Sequence, residues 1–337
     1  MCIRDSLLGA AFAVFWGTIF PLVAEGVTGE QVSVGPPFFE KVNFPIGLVL
    51  LALAGIGPVI AWRRATKRNL QKNFQIPIMV GCFVAIALWI GGARHGLALV
   101  TWSVCAFVLT VIATEFWKGT RARARIEGEG FAVALFHLVT RNRRRWGGYI
   151  VHVGIVMIYF AFAGAAYNVD ERQHVLPGDQ INITSPFGHI YTLTYEGLSV
   201  SLNRGQRNLL WQAIATVSVE QDGVAKGILT TEKRQYVTSD QLMTEVGIRS
   251  TVREDLYLIL SAMDDVDGAL SANSSAQGID LQVLVKPFVL WIWAGGLILA
   301  LGTVIALWPS VDRRRRSNRP ELEAVTTGAP AIAGAAR

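Results

Sequence analysis

Five histidines and three cysteines are the only imidazoles and thiols in this chain, and their spacing limits the chemistry they could do. Cys2, Cys82 and Cys105 form no CxxC, CxxCH or zinc-type pattern, so the chain does not read as a c-type cytochrome, a thiol oxidoreductase or a zinc protein. No Walker motif, GxSxG or HExxH occurs, which leaves no hydrolase or ATPase signature. His152 stands apart from the other histidines. It lies near the start of the apolar run RRRWGGYIVHVGIVMIYFAFAGAAYN, residues 143–168. An ionisable ring in hydrocarbon is costly and normally faces protein, water or a ligand. A neutral imidazole is a good ligand for heme iron, with its second nitrogen held by a carbonyl or hydroxyl. On a helix, Gly148 lies at i−4 from His152, Val156 at i+4 and Tyr159 at i+7. Small residues on that face would let a flat macrocycle or another helix come close. The competing reading is a histidine hydrogen-bonded across helices with no metal, and one intramembrane histidine does not choose between the two.

The remaining candidates read more simply. His137 belongs to a short amphipathic stretch, His95 to the turn GGARHG, and His174 and His189 to a polar β-type segment; surface roles account for all four. The segment TEVGIRSTVREDLYLIL brings Glu245, Arg249, Arg253, Glu254 and Asp255 together, a pattern expected of solvated ion pairs rather than a catalytic cluster. SVGPPFFEKVN, residues 33–43, reads as an outer loop, either a simple connector or a rigid apolar loop that lies on the membrane surface or packs over a cavity mouth. KPFVLWIWAGG carries Trp291 and Trp293, which suit interfacial anchoring or, alternatively, stacking on a flat cofactor.

The elements that must hold these residues follow from hydropathy. Of 337 residues, 52% are hydrophobic and 17% charged, with a mean hydropathy of +0.39. That composition fits a polytopic membrane protein with a water-exposed part. The net charge of +6 sits in short blocks beside apolar runs, not on an aromatic-studded polar face, so no nucleic-acid partner is expected. A span needs about 20 apolar residues, and six runs qualify, at 7–23, 44–62, 76–90, 97–116, 147–166 and 287–307. The basic blocks at 63–72, 118–125, 141–145 and 313–316 then all fall on one side, the cytoplasm under the positive-inside rule. Both termini share that side. FAVALFHLVT, residues 131–140, is too short to span and reads as an interfacial helix in contact with membrane lipid.

The division expected is five helices with basic loops in 1–166, a β-rich periplasmic domain in 167–286, a last span in 287–308 and a basic, disordered tail in 309–337. In the β-rich part, Trp211, Ala213, Ala215, Val217 and Val219 alternate at period two, as do Ile279, Leu281, Val283 and Val285. Asp222-Gly223 marks a hairpin turn. A small antiparallel sandwich or barrel satisfies the pattern equally. The opening, MCIRDSLLG, lacks the features of a signal peptide and suggests a reading frame that starts late.

Four stretches then carry a resemblance. WGTIFPLVAEGVTGEQVSVGPPFFEKV, RRWGGYIVHVGIVMIYFAFAGAAYN, EKRQYV followed by MTEVGIRSTVREDLYL, and VKPFVLWIWAGG occur in that order. Together they resemble the C-terminal half of the CcmF/NrfE family, the heme lyase subunits of bacterial cytochrome c maturation (system I). The resemblance implies a multi-pass protein of the bacterial inner membrane that takes transient heme from a periplasmic heme chaperone. It implies attachment of that heme to apocytochrome c, together with other maturation subunits. It also implies a heme b held between two transmembrane histidines, with His152 in the place of the second and as its iron ligand. The first such histidine, the tryptophan-rich WGxWWxWD stretch and the periplasmic histidines flanking it have no counterpart here. Heme lyase activity is therefore expected only of the full-length protein. Two other readings stay open: a non-catalytic scaffold or transporter-like subunit without cofactor, and the paralogue dedicated to a multiheme nitrite reductase.

Overall fold

Long apolar runs leave the backbone no polar partner but itself, so the membrane-type half of the chain is helical. The computed structural model describes residues 2–30, 36–57, 67–202, 208–237, 239–264 and 277–309. Its helices are α1 (Cys2–Thr28), α2 (Pro36–Ile56), α3 (Lys67–Ile90), α4 (Gly96–Glu127), α5 (Phe131–Arg141), α6 (Arg143–Gly164) and α7 (Val289–Leu307). Gly128 ends α4 in the left-handed conformation, φ 68°, which costs glycine nothing. Among the described residues, five helical segments are long and apolar enough to cross a membrane: Leu7–Thr28, Asn73–Ile90, Gly96–Glu127, Arg143–Tyr167 and Val289–Leu307. The sixth expected span, 44–62, is helical through Ile56, and its part from 58 onward lies outside the described residues. Residues 36–43, expected to be an outer loop, instead form the first turns of α2; proline at the first helical position fits, because that turn has no amide partner to lose.

One end of the bundle is basic. Lys118 donates to Asn73 at 2.9 Å, Arg145 reaches Glu115 at 3.1 Å, and Arg143 donates to the carbonyl of Pro309 at 3.0 Å. These contacts gather the starts of α3 and α6 with the ends of α4 and α7. The short α5 lies against them, with Ala134 buried and Phe131 packed on Trp117.

The other end carries a β-sandwich. The chain leaves α6 through a single 3-10 turn and forms β1 (Val169–Val175), β2 (Gln180–Thr184), β3 (Ile190–Leu202), β4 (Leu209–Gln221), β5 (Val224–Tyr236), β6 (Ser239–Glu245), β7 (Gly247–Ser250), β8 (Glu254–Met263) and β9 (Ile279–Pro287). Two antiparallel sheets result, ordered β1-β9-β8-β7 and β2-β3-β4-β5-β6. The period-two residues expected of β4 and β9 are all buried and meet Leu256, Leu258 and Leu260 of β8 in one core. Asp222 (φ 53°) and Gly223 (φ 75°) make the turn between β4 and β5, the positive-φ pair that matches strand twist. The loop after β8 lies outside the described residues from 265 to 276.

The sandwich is fastened to the start of α7 by one backbone and one side-chain hydrogen bond. Phe288 donates its N–H to the carbonyl of Arg253 at 2.9 Å, and the Trp291 indole donates to the carbonyl of Val252 at 2.9 Å. Here the expectation of solvated ion pairs fails. Glu254 and Asp255 are only 2% and 4% exposed, because β8 is an inner strand that runs into the junction with α7. Glu254 accepts a hydrogen bond from the Tyr191 hydroxyl at 2.8 Å. Glu245 and Arg253 are solvated as expected.

Candidate heme-binding site

His152 sits two turns into α6, and three neighbours fix that helix. Toward α7 the packing is backbone to backbone. A Cβ added at Gly154 would meet the Gly295 carbonyl oxygen at 2.6 Å, and one at Gly302 would meet the Val151 nitrogen at 2.6 Å. Toward α4, Trp146 and Tyr149 pack on Phe116, and the Trp102 indole donates to the Phe160 carbonyl at 3.0 Å. Toward α2, the Tyr159 hydroxyl fills the space over Gly47.

Gly148 and His152 share the Tyr159 face of the helix, nearer its basic end. A Cβ added at Gly148 would meet nothing within 4 Å among the described residues, so this face is open where the α7 face is closed. His152 is half-buried; its Nδ1 is buried and without a hydrogen-bond partner among the described residues. The cross-helix hydrogen bond that would make His152 a plain packing residue is therefore not formed within them. A buried polar atom left unpaired costs about 1–3 kcal/mol, so a group outside the described residues that satisfies this ring gains that much. An imidazole on a fixed helix, beside a glycine with free space, is a donor that could hold a heme iron. The glycines that bring helices together are Gly147, Gly154, Gly295 and Gly302, which the reading of the sequence passed over. Their signal was legible, since each helix repeats glycine at a spacing of seven residues, about two turns.

The other histidines are engaged elsewhere. His137 contacts Glu129 at 2.9 Å, His174 lies 3.1 Å from Asp280 and 3.6 Å from Asp264, and His189 lies 2.8 Å from Asp222. The His95 ring packs edge-on against Tyr167 at 4.8 Å, which in turn stacks on Trp102 at 5.7 Å. Among the described residues no three metal-ligating side chains cluster. Trp293 is 72% exposed on the outer face of α7, the placement of an anchoring indole. Outside the spans, the Arg123 guanidinium bonded to Glu129 holds that carboxyl below its ordinary value, with His137 adding to the effect. The Ile190 N–H and the His189 ring do the same for Asp222.

This is a multi-pass membrane protein in which a β-sandwich is inserted before the last span. The family model for the CcmF C-terminal β-sandwich matches residues 166–287. The cytochrome c-type biogenesis protein CcmF of Pseudomonas fluorescens is 29% identical over 92% of the chain and 43% of its own length. A cytochrome c-type biogenesis protein of Rhodobacter capsulatus is 31% identical over 91% of the chain and 42% of its own length. A solved structure, the cytochrome c heme lyase CcmF, superposes with a TM-score of 0.69 at 23% identity, over 91% of this chain and 45% of that one. The chain is similar to CcmF proteins over nine-tenths of its length, its residues 166–287 match their C-terminal β-sandwich, and it spans less than half the length of the relatives it matches.

Proposed function

We propose that this chain is the C-terminal part of a heme lyase subunit of bacterial cytochrome c maturation, and that His152 supplies one axial ligand to a heme b in the bilayer. The observation that carries this reading is His152 itself: an imidazole in a spanning helix with its Nδ1 unpaired beside the open face of Gly148, in a chain that matches CcmF proteins over nine-tenths of its length. The protein resides in the inner membrane, with the sandwich in the periplasm and the basic end in the cytoplasm. A heme bound there supplies one-electron chemistry able to keep the iron of an incoming, transient heme reduced.

The residues of this chain take distinct parts in that scheme. His152 presents a ring nitrogen and Gly148 gives a flat group room to approach. The close contact of α6 with α7 fixes the direction of the imidazole, so that little ordering entropy remains to be lost on binding. Arg145 lies over the Trp146 ring at 5.2 Å and anchors the same helix at its basic end. The sandwich and the neighbouring loop ends offer the periplasmic surface for apocytochrome c, the heme chaperone and other maturation subunits. Crosslinking from sandwich positions in the full-length complex tests that assignment, and capture of none of these partners counts against it.

The test of the heme site is an optical spectrum of the purified full-length gene product. A reduced b-type spectrum that is lost in His152→Ala supports ligation. A spectrum unchanged by the substitution returns His152 to packing and favours a scaffold role for this half of the protein.

A further inference from the structure

At the basic end, two cavities adjoin and share Arg143 and Trp308. The larger, about 720 Å3, is an apolar groove with Leu135, Phe136 and Val139 of α5 on one side and Val304 and Ile305 of α7 on the other. The smaller, about 210 Å3, opens from it and is walled by Arg141, Arg143 and Arg144 together with residues 306–309. One wall of the groove thus belongs to a spanning helix and the other to a helix too short to span. Such a groove faces hydrocarbon along its length and the headgroup layer at its rim. Exposed Trp308, at 60%, lies where interfacial indoles concentrate.

Among the described residues, little of the charge at that rim is neutralised. Arg144 is exposed and makes no hydrogen bond or ion pair among the described residues. Arg143 gives one donor to the Pro309 carbonyl and keeps the rest of its fork. Arg141 reaches Glu127 only at 4.0 Å, and Glu129 is taken by Arg123 and His137. Arg145 plays no part, being turned to Glu115 and Trp146. A cationic rim over an acyl-width groove matches an anionic glycerophospholipid: arginine forks take phosphate oxygens in charge-assisted pairs, and basic pockets between helices select anionic head groups. A zwitterionic lipid gains less, because its amine brings a charge of the same sign to the arginine rim.

We propose that the groove between α5 and α7 binds one anionic glycerophospholipid, its phosphate on Arg143 and Arg144 and an acyl chain between Leu135 and Val304, and that this lipid ties the interfacial helix to the last span. Native mass spectrometry of the full-length protein in detergent, with added dioleoyl phosphatidylglycerol or dioleoyl phosphatidylcholine, tests it. One phosphatidylglycerol is expected to be retained in preference to phosphatidylcholine. Arg144→Ala, which breaks no contact among the described residues, should weaken retention about fivefold, the effect of one basic residue at an anionic surface. Leu135→Trp, which fills the groove and spares the arginines, should also lower retention. Arg121→Ala, at the same end but off the groove, should change nothing. Equal retention of the two lipids, or wild-type retention in Arg144→Ala, overturns the proposal. Competition by glycerol 1-phosphate as strong as by the whole lipid also overturns it, since the site would then hold a free phosphate. Thermal melting of each variant separates lost binding from lost fold.

Discussion

Glu254 is the residue with most at stake outside the proposed heme site. Its Oε1 accepts from Tyr191, whereas its Oε2 is buried with no partner among the described residues. Removing the donor should therefore hurt more than removing both groups. Tyr191→Phe is expected to destabilise the sandwich by about 1–3 kcal/mol, and the Tyr191→Phe/Glu254→Leu pair to recover part of that. Melting of the full-length protein, followed by the β-sheet circular dichroism signal, checks this as a double-mutant cycle; strictly additive losses would show that the two groups do not act together. This pair was hidden in the sequence. Glu254 stands in a charged run, and such runs are normally solvated; only the pairing of β8 with β9 and the docking of α7 bury it. The place of His152 in a span was legible for the opposite reason, since it is a titratable ring where the surrounding pattern allows none. Asp222 gives a pH-dependent case. The Ile190 N–H, at 2.9 Å, and then His189 hold its carboxyl below the ordinary value. Its contribution is present above the unfolded value of about 4 and is lost as pH falls through the lower folded value. Asp222→Asn keeps the positive-φ turn and should flatten the acid limb of the stability curve, measured as melting temperature against pH.

At the scale of elements, α6 works through two faces that glycine serves differently. Gly154 has no space for a Cβ because the Gly295 carbonyl and the Leu299 nitrogen would each lie at 2.6 Å. Gly148 has space to spare. Gly154→Ala should cost about 1–3 kcal/mol through overpacking, and Gly148→Ala should gain up to about 1 kcal/mol through helix propensity. The informative contrast is Gly148→Leu, whose Cβ meets nothing within 4 Å among the described residues and whose longer side chain should lower heme content if a macrocycle lies against that face. Thermal melting together with the heme-to-protein absorbance ratio reads both effects. Normal heme content in Gly148→Leu would move the ligand to another face of the helix. Hydropathy alone marked α6 and α7 as spans and could not say which faces meet. The repeated glycines carried that information, and the long-range strand order that makes a sandwich rather than a barrel left no local trace.

Over the whole molecule, the connectivity settles what the lengths of the helices leave short. Helix α2 starts at Pro36, reaches the level of Tyr159 at Gly47 and that of Val108 at Gly55. It therefore descends from the sandwich end of α6 toward the middle of α4. Asn73, early in α3, then meets Lys118 at the basic end. Between 36 and 73 the chain has passed from one end of the bundle to the other, which is the crossing that five long helices alone do not supply. With that passage included, the described arginines of α4 and α6 lie on one side of the bilayer and the sandwich on the other. An odd number of passages would split the basic blocks between the two faces and remove the asymmetry that orients the protein. The sidedness is open to a direct test by cysteine labelling in intact spheroplasts. Ser201→Cys, exposed on β3, should react with a membrane-impermeant maleimide from outside, above the level of the parent protein. Arg121→Cys, exposed at the basic end of α4, should react only after permeabilisation. The reverse pattern would place the sandwich in the cytoplasm, where it could not meet apocytochrome c in the periplasm, and the heme lyase reading would fall with it.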